Sequence, residues 1–141
     1  MRFWDSSALV ALTARDRHLE RVEPLANEDR KMAVWWAARV DCASAYRSRV
    51  RAGELTARGE AQAAVRLEAL ARDWVEIQPL AAVRNVAERL VRQHVLSAAD
   101  ALQLAAALDW AGEQRAGLGL VTFDQRLADA ARLEGFTVLP E

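Results

Sequence analysis

Four aspartates, Asp5, Asp41, Asp100 and Asp124, stand where an alternating strand–helix chain presents polar groups at one edge of its sheet. Their carboxylates are hard oxygen donors. Like charges a few ångströms apart repel, so such a group is tolerable only if cations neutralise it or pKa values rise. Oxygen ligands with few histidines select Mg²⁺ or Mn²⁺, which bind through one or two carboxylates, waters and a substrate phosphate. A cation held this way lowers the pKa of a bound water and stabilises charge on a phosphodiester during in-line attack. Metal-assisted phosphodiester hydrolysis is the reaction class that these residues suit. Softer chemistry has no foothold, because Cys42 is the lone cysteine and His18 and His94 are the only histidines. A zinc site needs more than that.

Each acid also has a purely structural use. Asp124 precedes Gln125-Arg126-Leu127 and fits a helix N-cap. Ser97-Ala98-Ala99-Asp100 has capping-box spacing, with Asp100 at the third helical position. Asp41 fits a solvated helix residue near Arg39. Asp5 follows the apolar Phe3 and Trp4, where an unpaired charge would be costly to bury, and its structural use would be to cap the next helix. No single acid makes the case; their joint placement does.

Short apolar, β-prone runs alternate with long helical patterns, as in an α/β domain with a mostly parallel sheet. The pattern predicts strands at Arg2–Asp5, Lys31–Trp35, Val75–Gln78, Leu118–Thr122 and Phe136–Leu139. Helices are predicted at Ser7–Ala14, Leu19–Glu28, Ala38–Arg51, Ala57–Arg72, Leu80–His94, Ala98–Gln114 and Gln125–Glu134. Gly53 and Gly135 are placed as left-handed helix stops. Ligands of open α/β sheets collect beyond the carboxyl ends of the strands. Asp5 closes the first strand and Asp124 lies two residues past the fourth. Asp41 falls near the start of the helix that follows the second strand, and Asp100 in the first turn of the helix leading to the fourth.

The chain has 141 residues, 52% of them hydrophobic, which is one domain of ordinary size with a sizeable core. No apolar run is long enough to span a bilayer, and a carboxylate at position 5 argues against a signal peptide. With a lone cysteine, the expected setting is the reducing cytoplasm. A formal net charge of −1 excludes a global basic field, although an acidic metal site would cancel a basic rim in the sum. Arg39, Arg47, Arg49, Arg51 and Arg58 form the densest basic stretch, either an RNA-phosphate contact or a solvated helix face. The five tryptophans read as packing residues.

These segments carry a resemblance. Asp5-Ser6-Ser7-Ala8-Leu9-Val10 looks like the opening Asp-Ser/Thr-Ser motif of PIN domains. Leu96-Ser97-Ala98-Ala99-Asp100-Ala101-Leu102-Gln103-Leu104-Ala105-Ala106-Ala107 closely resembles their third acidic motif, and is the most specific segment. Thr122-Phe123-Asp124-Gln125-Arg126-Leu127, with Ala130-Ala131 and Gly135, is similar to the last acidic motif. The likeness spans essentially the whole chain, and size and layout resemble VapC-type toxins. It implies a PIN-like three-layer α/β fold with a central five-stranded sheet and helices on both faces. It also implies an Mg²⁺- or Mn²⁺-dependent ribonuclease, inhibited by a cognate antitoxin and commonly homodimeric. On that reading Asp5, Asp41, Asp100 and Asp124 are catalytic, with Asp5, Asp100 and Asp124 as metal ligands. Ser6 and Thr122 are the expected hydrogen-bond donors that orient them.

One departure stands out. The family's second acidic residue is usually Glu, whereas Val40-Asp41-Cys42-Ala43-Ser44-Ala45 has Asp, whose reach is shorter by about 1.5 Å, one C–C bond. The short acid keeps alive a second reading, a non-catalytic PIN-fold binding module acting through a protein partner. Other aspartate enzymes fit less well. A haloacid-dehalogenase-like phosphatase has Asp-x-Asp where this chain has Asp5-Ser6-Ser7, and a receiver domain has a late lysine where this chain has only Lys31.

Overall fold

The computed structural model describes residues 1–141. Its elements run β1 (Arg2–Trp4), α1 (Ser6–Thr13), α2 (Leu19–Glu28), β2 (Met32–Trp35), α3 (Ala38–Arg51), α4 (Ala57–Ala71), β3 (Val75–Ile77), α5 (Ala81–Gln93), α6 (Ala98–Ala111), β4 (Gly119–Val121), α7 (Gln125–Leu133) and β5 (Thr137–Leu139). The strands form one sheet in the order β3-β2-β1-β4-β5, and every pairing is parallel. The expected α/β class holds, and the sheet is wholly rather than mostly parallel. Every residue of β2 and β4 is buried, as strands covered on both faces must be.

The order of strands divides the helices between the faces. From β1 the chain crosses to β2 and then β3 in one direction; it returns past β1 to β4 and moves on to β5. Right-handed crossovers then place α1–α4 on one face and α5–α7 on the other. The packing agrees: α1 touches α2, α3 and α4, while α6 touches α5, α7, β2 and β3. The direction of winding reverses between β1 and β4, and the crevice at the carboxyl ends of that pair is where such sheets bind ligands.

The core is one cluster running from Phe3 and Trp4 through α6 to Val138. In α6 the small side chains of Ala101, Ala105, Ala106 and Ala107, all fully buried, let the helix lie close against the sheet. Gly53 and Gly135 take φ of +75° and +102°, the left-handed stops expected of them. Among the tryptophans, Trp36 departs from the packing role: it is 50% exposed, beside the buried Trp35. No helix is long and apolar enough to cross a membrane.

Candidate active site

Asp5 is the best-defined group of the crevice. The first strand ends at Trp4, one residue earlier than expected, because Asp5 turns out to cap α1: its Oδ1 accepts from the Ala8 N–H at 3.0 Å. The same oxygen accepts from Ser7 Oγ at 2.7 Å, and Oδ2 accepts from Thr122 Oγ1 at 2.8 Å. Both hydroxyls are used twice, since Ser7 Oγ accepts the Phe123 N–H at 2.8 Å and Thr122 Oγ1 accepts the Asp124 N–H at 3.0 Å. A carboxylate and two hydroxyls thereby tie the end of β1 to the end of β4. Thr122 lies where the sequence placed it. Ser6 does not: its side chain makes no hydrogen bond to Asp5, and Ser7 does. Once Asp5 is the N-cap, the helix turns Ser7 rather than Ser6 towards β4. The Asp-x-Ser spacing was the available signal, because the second residue after such a cap can return its hydroxyl to the carboxylate.

Three donors would ordinarily hold a carboxyl well below its usual range, yet the Asp5 pKa is pushed up to about 6. Burial dominates, since the side chain is 2% exposed. The charge of Asp124 raises it further.

Asp124 caps α7 through Oδ1, which accepts from the Leu127 N–H at 2.9 Å. Asp100 is half-buried in the first turn of α6, its own N–H donating to Ser97 Oγ at 3.1 Å. Its pKa is raised by burial and then by the charge of Asp124. Asp41, in the first turn of α3, is raised by burial and by the charge of Asp100. The four acids therefore form a coupled series, Asp5 to Asp124 to Asp100 to Asp41, along one edge of the sheet. They do not close into a ready-made cage: no three acidic, histidine or cysteine side chains stand at ligand spacing. The capping uses foreseen for Asp5 and Asp124 are also real, so the same carboxylates end helices and line the crevice.

The donor set suits a hard cation. It is all oxygen, it lacks a neighbouring cation strong enough to bring the three raised pKa values down, and Mg²⁺ takes only one or two carboxylates with its remaining positions filled by water. Asp5, Asp100 and Asp124 could hold such an ion, with Asp41 in support.

Three further residues beside these groups, Gln103, His18 and Arg21, carried no role in the sequence. Gln103, in α6, donates from Nε2 to Asp41 Oδ2 at 3.2 Å. It is the one polar side chain in a buried alanine–leucine run, three residues beyond Asp100, and that is a legible signal. His18 stacks on Phe123 with ring centroids 4.1 Å apart, and Arg21 lies 5.6 Å from the same ring, next to Asp124. The basic stretch resolves into ion pairs: Arg39 with Glu68, Arg47 with Glu60 and Arg49 with Asp16. Three of its five arginines are thus committed within the fold.

A family model described as PIN domain matches residues 2–133. No curated protein matches the chain in sequence. Among solved structures, VapC20 of Mycobacterium tuberculosis, described as a sarcin–ricin loop cleaving toxin, aligns at TM-score 0.65 and 20% identity, covering 97% of each chain. FitAcB from Neisseria gonorrhoeae aligns at TM-score 0.65 and 16% identity, over 99% of this chain and 97% of that one. PAE2754 from Pyrobaculum aerophilum aligns at TM-score 0.63 and 23% identity, over 98% of this chain and 88% of that one.

Proposed function

The chain belongs to the PIN-domain family, and from that membership we propose that it is a divalent-metal-dependent ribonuclease, the toxin of a toxin–antitoxin pair. The observation that carries the reading is Asp5, a buried carboxylate locked by Ser7, Thr122 and the Ala8 N–H at the switch point of the sheet. A carboxylate can accept about four hydrogen bonds. Asp5 uses two on Oδ1 and one on Oδ2, which leaves Oδ2 with capacity for one more partner. Asp124 likewise spends Oδ1 on its cap and keeps Oδ2. Mg²⁺ or Mn²⁺ bound among Asp5, Asp100 and Asp124 would supply a water of lowered pKa and offset charge on the scissile phosphate. Thr122 and Ser7 fix the carboxylate to which that ion would bind, and preorganised groups need no rearrangement during reaction.

The toxin half of the reading is supported by the fold shared with VapC20. An unrestrained ribonuclease would damage its own cell, so the reading includes a cognate antitoxin that covers the acidic edge, and a homodimer as the working form. Expression of this chain alone should arrest growth, and Asp100→Asn should relieve the arrest. Equal harmlessness of both at equal soluble levels would remove the toxin reading. Purified protein should cleave structured RNA with Mg²⁺ or Mn²⁺ and stop on chelation; cleavage that survives both chelation and Asp5→Asn would exclude the metal mechanism. The short Asp41 and the open spacing of the acids favour a second reading, a PIN-fold module that binds a partner without catalysis. Antitoxin binding with no cleavage under any divalent ion would establish it.

A further inference from the structure

Gln103 sits among residues that have no use for an amide. The other buried members of α6 are alanines and leucines, and Gln103 itself is 2% exposed. An unpaired polar atom in such surroundings is costly, and a leucine would pack there without that cost. Yet its Oε1 is one of only two buried side-chain polar atoms in the molecule without a partner, the other being Trp4 Nε1. The amide has one engagement, the 3.2 Å hydrogen bond from Nε2 to Asp41 Oδ2. A carboxylate offers acceptors only, so this bond fixes which end of the amide faces Asp41 and leaves the carbonyl turned away with nothing to accept. The contact also crosses between elements: Asp41 belongs to α3 and Gln103 to α6, one helical turn beyond Asp100.

We propose that Gln103 is a positioning residue for Asp41, its amide N–H fixing the direction of the short carboxylate so that the remaining acceptors face a cation that Asp41, one methylene short, would otherwise reach poorly. The orphaned carbonyl is what the fold tolerates to keep that one bond. The assignment rests on reading the crevice as a divalent-cation site. It gives Gln103 a role distinct from packing: its removal should loosen the ion, and restoring the missing methylene at position 41 should make it dispensable.

The test is Mn²⁺ binding to the RNA-free protein, followed by the signal of free Mn²⁺, together with RNA cleavage as a function of Mn²⁺. Gln103→Leu should raise the Mn²⁺ Kd by roughly 10–100-fold, the usual loss on removing a group that orients a ligand. Its kcat at saturating Mn²⁺ should fall by less than its affinity does. In an Asp41→Glu background the same substitution should cost only a small part of that factor. Gln103→Met, unbranched and of similar length, repeats both comparisons should leucine pack poorly. Superimposable Mn²⁺ isotherms for wild type and Gln103→Met would overturn the inference alone. So would a loss of equal size in the Asp41→Glu background. Wild type that binds no Mn²⁺ would overturn the metal reading itself, and the inference with it.

Discussion

Two part-buried or buried carboxylate sites in this molecule have different partners and come out with opposite electrostatics. Glu134 follows α7 and meets Arg89 Nη1 at 3.0 Å, His94 Nε2 at 3.1 Å and Arg115 Nη1 at 3.5 Å. Burial alone would raise its pKa, and the hydrogen bonds from His94 and Arg89 more than reverse that, so it is lowered. Asp5 has three hydrogen bonds and no cation beside it, and its pKa climbs to about 6. Asp41 and Asp100 are raised as well, each in part by a neighbouring carboxylate. The fold thus neutralises an acid where the acid joins α5, α7 and the loop before β4. At the crevice it supplies hydroxyls and amides that fix geometry without cancelling charge. That difference separates a structural ion-pair knot from the crevice for which a cation is proposed.

Breaking the crevice should have the larger effect on activity. Asp5→Asn keeps the acceptor for Ala8, Ser7 or Thr122 but removes the charge, and cleavage should fall by more than about 100-fold, beyond the loss typical of a residue that only orients a ligand. RNA cleavage with Mn²⁺ checks this. Glu134→Gln should leave the same assay unchanged.

Stability should move in the opposite sense. In metal-free protein Asp5 prefers its neutral form, so its favourable contribution is present below the unfolded value of 3.8 and lost as pH rises through about 6. At 1.36 kcal/mol per unit the full loss is about 3 kcal/mol. Glu134 has the reverse dependence: its contribution is present above the unfolded value of 4.5 and lost as pH falls through its lowered value. Unfolding free energies measured against pH with chelator present should show Asp5→Asn removing the decline on the neutral side. Glu134→Gln should destabilise by about 1 kcal/mol at pH 7, because its arginine partners are part-exposed and solvent takes over much of what the charge supplied.

The smallest effect sharpens the geometry of the crevice. Ser7→Ala deletes the 2.7 Å donor to Asp5 and the acceptor for the Phe123 N–H. It should weaken Mn²⁺-dependent cleavage by about tenfold, whereas Ser6→Ala should leave it close to wild type. Equal losses in the two variants would return the orienting role to Ser6.

That pair also marks how far the sequence could be read. The strands were legible because Met32–Trp35 and Gly119–Val121 are short apolar runs between strongly helical segments, which only a doubly covered parallel sheet accommodates. Their order was not, because β1 lies between β2 and β4 through pairings that connect residues such as Phe3 and Leu120, far apart in the chain. The four acids were legible from their distance to strand ends. Which serine faces Asp5 was not, since it depends on the residue at which α1 starts, and helix starts shift by a residue when a carboxylate takes the cap. Gln103 was visible as a polar residue in an apolar helix, but its partner Asp41 is 62 positions away and no local pattern connects them.

The claim that ties these observations together is that the crevice, and not the Glu134 knot, awaits a divalent ion. Thermal unfolding at pH 7 with and without Mn²⁺ tests it directly, because a ligand that binds only the folded state stabilises it by about 2.7 kcal/mol at a hundredfold excess over its Kd. The unfolding midpoint should rise with Mn²⁺ in wild type and equally in Glu134→Gln, and should not move in Asp5→Asn. A rise of the same size in Asp5→Asn, or no rise in wild type, would contradict the account.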